Sequence, residues 1–98
     1  MIVTHVHFNV AANERQTALT ALLTATVTVR DMDGCQTFIP FIDPTDETRL
    51  GVMHEWEAEA NFAAYIASDA FKTLGQALRP MMTAPPTTRR FDATLLDT

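Results

Sequence analysis

The sequence predicts an α+β fold in which four antiparallel strands form one sheet with the helices on one face. Four segments alternate between apolar and polar residues, and the segments between them repeat apolar residues at helical spacing. Their order is strand, helix, strand, strand, helix pair, strand, which is the split βαβ arrangement of ferredoxin-like domains. A chain of 98 residues supports one hydrophobic core, so we expect one domain over residues 1–98.

The first strand is predicted over residues 1–10, where side chains alternate in character. Ile2, Val6 and Phe8 fall on one side, and His5 and His7 fall on the other. One face of this strand should therefore contact the core, and the two histidines should lie on the opposite face.

The first helix is predicted to begin near Asn13, because Asn13 followed by Gln16 fits a capping box. The helix should end near Val29, ahead of a turn at Asp33-Gly34. Its apolar positions repeat at helical spacing and are Leu19, Leu22, Leu23 and Val27.

The second and third strands are predicted to form a hairpin around the turn residues 43–46. The second strand, Cys35–Ile42, is apolar on both faces and contains Pro40, which cannot donate to a central ladder. This strand should therefore lie at an edge or carry a bulge. The third strand places four residues on one face: Leu50, Val52, His54 and Trp56.

Two helical segments and a fourth strand are predicted after the hairpin. Glu57 and Glu59 favour a helix start, and Ser68 can cap a second segment. Pro85-Pro86 should end that segment, and residues 87–96 alternate as a strand. The apolar stripes of the two segments are Phe62, Tyr65 and Ile66, then Phe71, Leu74, Gly75, Leu78 and Met82.

Composition excludes several classes of function. The net charge is -5, with seven Lys and Arg against twelve Asp and Glu, so we expect no nucleic-acid partner. No stretch approaches the roughly 20 apolar residues that span a membrane, and no signal peptide is evident. Cys35 is the single cysteine, so the sequence gives no sign of an oxidising compartment, and we expect a cytoplasmic protein.

A homodimer is predicted from the apolar residues of the second strand. Two helical layers cover one face of a four-stranded sheet, yet Ile39 and Phe41 point away from the Phe38 face. A contiguous exposed apolar surface is rare on soluble monomers. We therefore expect two copies to pack sheet against sheet as an isologous pair.

Three motifs resemble the antibiotic biosynthesis monooxygenase family: Asp33-Gly34-Cys35, His54-Glu55-Trp56-Glu57 and Ser68-Asp69-Ala70-Phe71-Lys72. The resemblance covers nearly the whole chain and implies a dimeric α+β barrel. Several members oxidise polycyclic phenols to quinones without metal or flavin, so it also implies that no cofactor is needed. Others in the superfamily degrade haem, or isomerise or break down small signal molecules.

The resemblance also implies positions for a substrate pocket. In quinone-forming members a Trp on the third strand matches Trp56, whereas their Asn and Tyr positions hold Val52 and Phe62 here. A first-strand Asn of the family falls on Val6. The haem-ligating His of other members falls near Gly75, which has no side chain to bind iron.

The candidate catalytic residues are His54, Trp56 and Tyr65. An imidazole that titrates near neutrality suits proton abstraction from a phenol, so His54 is the candidate base. The indole N–H of Trp56 and the hydroxyl of Tyr65 offer hydrogen bonds to a substrate oxygen. Purely structural roles stay open for all three. Five residues are predicted to bind the substrate through apolar contact: Val6, Val52, Phe62, Phe71 and Met82.

Three functions remain open from the sequence. The first is a cofactor-independent oxygenase of a phenolic aromatic compound, and the second is an isomerase or lyase that moves protons on a small carbonyl compound. The third is a noncatalytic ligand-binding dimer. His5 and His7 have a spacing that suits a transition metal, but two ligands are too few, so we expect no metal site.

Overall fold

The computed structural model describes residues 1–97, and its elements follow the predicted order. The strands are β1 (Ile2–Asn9), β2 (Cys35–Ile42), β3 (Arg49–Trp56) and β4 (Thr87–Asp92), and the helices are α1 (Arg15–Arg30), α2 (Glu59–Ile66) and α3 (Asp69–Leu78). Short 3-10 turns at Ala12–Glu14 and Arg79–Met81 precede α1 and follow α3.

All neighbouring strands are antiparallel, in the order β2-β3-β1-β4. This confirms the ferredoxin-like α+β fold. It also confirms the edge position of β2 that Pro40 requires, and a bulge lies between Cys35 and Thr37. Gly34, at the turn before β2, has a φ of 77°, a left-handed conformation that favours glycine.

The predicted capping box at Asn13 is wrong. Asn13 lies inside the 3-10 turn, where the backbone N–H of Glu14 donates to the carbonyl of Ala11 at 2.8 Å, and α1 begins without a side-chain cap. The chain has already turned before Gln16 is reached. Arg15 instead donates through Nη1 to the backbone carbonyls of Asp43 and Asp46, which ties the start of α1 to the β2–β3 turn.

The last helix and the last strand are shorter than predicted. Pro80 has no backbone N–H to continue an α-helix, so α3 ends at Leu78 and Met82 lies beyond the 3-10 turn. β4 ends at Asp92, which pairs with Ile2 at the start of β1, and the backbones of Met1 and Ala93 exchange two further hydrogen bonds of 2.8 Å. Residues 94–97 extend past these bonds.

The two faces of the sheet differ in cover. The strand register places Phe38, His54, Thr4 and Arg90 in one cross-strand row on the helical face. The next row, on the open face, holds Ile39, Met53, His5 and Arg89. His54 and His5 therefore lie on opposite faces, as the alternation predicts.

The core lies between the helices and the sheet. Its largest fully buried side chains include Trp56, Phe38, Leu22 and Leu50. Ser68 caps α3, because its hydroxyl accepts the backbone N–H of Phe71 at 3.2 Å, as predicted. Among residues 1–97, no helix has the length and apolar character needed to cross a membrane.

Candidate functional site

A cavity of about 250 Å³ lies between the helices and the sheet, and its lining is mostly apolar. Side chains from β1, β3 and β4 form one wall, and side chains from all three helices form the other. Four lining residues are exposed: Ile66, Arg79, Pro86 and Thr88. Three of them lie at the end of α3 and around the start of β4, so the mouth opens there.

Seven of the eight predicted site residues lie in the wall of this cavity. Strand alternation brings in the residues from β1 and β3, and the apolar stripes of α2 and α3 bring in most of the rest. The seven are Val6, Val52, His54, Phe62, Tyr65, Phe71 and Met82.

Trp56, the eighth predicted residue, does not reach the cavity surface. Its side chain is fully buried, and its ring stacks on Tyr65 with centroids 5.1 Å apart and an interplanar angle of 21°. Its indole N–H donates to Nδ1 of His54 at 2.8 Å. The expected hydrogen bond from Trp56 to a ligand is therefore replaced by one to His54.

The bond from Trp56 fixes the tautomer of His54. An indole N–H can only donate, so Nδ1 of a neutral His54 must be the acceptor and Nε2 must carry the hydrogen. No group among residues 1–97 accepts a hydrogen bond from Nε2. Because His54 lines the cavity, this N–H is the imidazole group that remains for a ligand.

The prediction that His54 titrates near neutrality is wrong. Burial disfavours the imidazolium and, with a smaller contribution from the charge of His5, lowers the pKa of His54 to about 4. At pH 7 His54 is neutral, with one nitrogen occupied by Trp56 and the other protonated. It is arranged to donate a hydrogen bond and not to remove a proton.

Aromatic rings hold the imidazole of His54 in place. Phe62 stacks on it with centroids 6.0 Å apart, and Tyr65 meets it edge-on at 5.5 Å. Phe38 packs against it at 5.6 Å from the neighbouring strand. The rings restrict movement of His54, so its N–H is pre-oriented before a ligand enters.

Tyr65 is also uncharged at neutral pH. Burial, with a smaller effect from Cys35, raises the pKa of Tyr65 to about 12. Its phenol therefore offers a hydroxyl and not a phenolate. Neither His54 nor Tyr65 titrates near pH 7.

The cavity contains residues that the sequence did not indicate as site residues. Phe8 could have been found by continuing the alternation of β1, and Leu22, Leu74 and Leu78 by extending the helical stripes. Thr4 could have been found because it is a polar residue in the otherwise apolar row of Ile2, Val6 and Phe8.

Charge at the site is confined to its mouth. Arg79 lines the opening, and the guanidinium of Arg90 lies over the ring of Phe62, 5.0 Å from its centroid. His5 and His7 are on the other face of the sheet. Within residues 1–97, no three His, Cys, Asp or Glu side chains come together as a metal-binding group.

Solved structures share this fold closely. A candidate antibiotic biosynthesis monooxygenase from Nitrosomonas europaea superposes with a TM-score of 0.90 at 17% identity, covering 97% of this chain and 100% of its own. One from Deinococcus radiodurans gives 0.91 at 15% identity, covering 100% and 97%. The protein Rv0793 from Mycobacterium tuberculosis gives 0.88 at 11% identity, covering 99% and 98%. Identities this low establish the fold alone.

Sequence comparison establishes the family. No curated protein matches this sequence. Residues 1–77, more than three quarters of the chain, match the family described as antibiotic biosynthesis monooxygenase. The fold, the cavity beneath the helices and this match agree, and the chain belongs to the antibiotic biosynthesis monooxygenase family.

Proposed function

We propose that this protein is a cofactor-independent monooxygenase of a flat, electron-rich aromatic compound that carries a phenolic oxygen. The observation that carries the proposal is the neutral His54, whose Nε2–H is left free in the wall of an apolar cavity by the bond from Trp56. A hydrogen-bond donor in a low-dielectric site stabilises negative charge on a substrate oxygen.

The size and lining of the cavity suit a substrate of two or three fused rings. A cavity of about 250 Å³ lies below the range of roughly 300–1,000 Å³ that is typical of sites for drug-sized ligands, so it suits a smaller molecule. The rings of Phe62, Tyr65 and Phe71 line it and offer faces and edges to a flat ring system. Val6 and Val52 stand where the resemblance places Asn side chains, and they make the sheet wall apolar. Apolar contact with the ring system of the substrate therefore supplies most of the binding at this wall.

The proposed reaction uses electrons from the substrate alone. The keto form of the substrate, with its carbonyl oxygen held by the bond from His54, loses a proton from a ring CH₂ and becomes a phenolate, which passes an electron to dioxygen. A ring CH₂ and O₂ become a carbonyl and water, so the four electrons gained by oxygen are the four lost by carbon. The proton passes from the CH₂ carbon to water at the mouth beside Arg79, because His54 has no free acceptor, and a proton returns from water to the reduced oxygen that leaves as water.

In this account Trp56 is a positioning residue. It touches His54 and not the cavity, and its hydrogen bond selects the tautomer that presents Nε2–H. Tyr65 supports the arrangement by stacking on Trp56 and by meeting His54 edge-on. A proton-transfer isomerase is less well supported, because pKa values of about 4 and about 12 place His54 and Tyr65 far from the range of efficient acid–base catalysis.

We further propose that the protein acts as a homodimer through the open face of its sheet. Ile39, Phe41 and Phe91 lie on that face and are 45%, 38% and 38% exposed. A second copy would cover them, as the resemblance implies.

The test is oxygen consumption with a series of hydroxylated anthrones, which carry the ring CH₂ that the reaction converts to a carbonyl. We expect uptake of one O₂ per substrate molecule, and we expect His54→Phe to lower the rate by about 100-fold, as loss of an anion-stabilising donor does. Val27→Phe is the control, because Val27 on α1 is 75% exposed and lies away from both the cavity and the open face, and it should keep the rate. Saturable binding without oxygen uptake across the series would show a ligand-binding protein instead, and full activity in His54→Phe would exclude the role of His54.

A further inference from the structure

Thr4 carries a polar group for which the described residues offer no partner. Its side chain lies in the cavity wall, is 1% exposed, and its Oγ1 has no hydrogen-bond partner among residues 1–97. Most buried hydroxyls are hydrogen-bonded, because an unsatisfied one loses its contacts with water and gains nothing in return. Valine has nearly the same shape and would avoid this cost, so the hydroxyl is a feature that requires an explanation.

The strand register places this hydroxyl beside His54. Thr4 on β1 pairs with His54 on β3, and both residues face the helices. Side chains of directly opposed residues are within contact distance of one another. The two groups do not bond to each other, since His54 bonds to Trp56 and Oγ1 of Thr4 bonds to nothing among residues 1–97. Two unsatisfied polar groups therefore lie next to each other in an apolar wall.

We infer that Thr4 and His54 together form a subsite for a single oxygen atom of the substrate. This inference rests on the proposed function, because it assigns the place where the phenolic oxygen is held. Rotation about the Cα–Cβ bond of Thr4 moves its hydroxyl among three staggered positions, so the wall can turn the hydroxyl toward a ligand.

A hydroxyl suits both protonation states of a phenol. The neutral phenol donates to Oγ1 of Thr4 while it accepts from Nε2–H of His54. After ionisation, the phenolate accepts from both groups, because a threonine hydroxyl can donate as well as accept. The subsite therefore selects substrates with an isolated hydroxyl or its keto tautomer at the buried end of the ring system.

Binding of an unreactive ligand pair tests the subsite. 1-Naphthol and naphthalene differ by one hydroxyl, and their affinities for the wild type, Thr4→Val and Thr4→Ser can be measured by calorimetry. We expect the wild type to prefer 1-naphthol, Thr4→Val to weaken 1-naphthol about fivefold without changing naphthalene, and Thr4→Ser to keep the preference. Thr4→Val should also raise the Tm by a few degrees, because it removes an unsatisfied buried group.

Three results would overturn the inference. The first is a wild type that binds the two ligands with equal affinity. The second is an equal loss of affinity for both ligands in Thr4→Val. The third is a lower Tm in Thr4→Val, which would show that the hydroxyl has a structural partner. Because binding is read without turnover, a protein that discriminates the pair but consumes no oxygen would contradict the proposed reaction and leave the subsite in place.

Discussion

The hydrogen bond from Trp56 to His54 determines which chemistry the imidazole can perform. Histidine is commonly a base, but here Nδ1 is already an acceptor and burial keeps the ring neutral. The same two facts make Nε2–H a fixed donor at the cavity wall. A residue that looks like a proton acceptor in the sequence is thus made a hydrogen-bond donor by its neighbours.

Protonation of His54 should couple the stability of the fold to pH. The folded pKa of about 4 lies below the ordinary value of 6.5, so between these values the unfolded chain binds more protons than the folded one. The contribution of His54 is therefore complete above pH 6.5 and declines as the pH falls toward 4. From pH 7 to pH 5 this amounts to roughly 2 kcal/mol of unfolding free energy.

Urea unfolding at pH 7 and pH 5 measures this coupling. His54→Phe has no imidazole to protonate, so the free energy it loses between the two pH values should be smaller than that of the wild type by about this amount. Val27→Phe, which leaves His54 in place, should lose as much as the wild type does. Equal losses in the wild type and His54→Phe would show that His54 is not buried in a neutral form.

Elements of secondary structure were predictable where a local pattern decides them. Alternation in β3 located Val52 and His54 on the helical face, and Pro40 identified β2 as an edge strand. The ends of elements depend on more distant partners. The ladder of β4 ends at Asp92, opposite Ile2 of β1, and alternation within β4 cannot indicate where this pairing ends.

Prediction of the site also succeeded where a local pattern decides and failed where contacts between elements decide. The resemblance indicated Val6, Val52 and Phe62, and periodicity assigned each predicted residue to a face; together they brought seven predicted residues to one cavity. Periodicity could not separate Trp56 from His54, which share a face of β3 two residues apart. Which of the two reaches a ligand is decided by the hydrogen bond between them and by the rings packed around them, and these come from α2 and β2.

At the scale of the whole molecule, the helices leave one face of the sheet open. The apolar side chains there are large and lie in neighbouring rows across β2, β3 and β4. A small domain gains much of its stability from added buried surface, so pairing of two such faces would stabilise each copy as well as complete the barrel.

Light scattering after size exclusion tests this pairing. At micromolar concentration we expect a species with twice the mass of one chain, and we expect Ile39→Glu to shift it toward the monomer by burying a charge at the interface. Val27→Glu is the matched control, because Val27 is an apolar residue on α1 that is 75% exposed, and it should leave the dimer intact. A monomeric wild type would contradict the pairing, as would equal dissociation by both variants.

The most direct test of the account is the protonation of the His54 ring, read by long-range ¹H–¹⁵N correlation spectra between pH 5 and pH 8. The account predicts a single neutral tautomer with hydrogen on Nε2 and none on Nδ1 across this range, and a shift of the Nε2 resonance when 1-naphthol binds. A ring that titrates near pH 6.5, or one that carries its hydrogen on Nδ1, would contradict it.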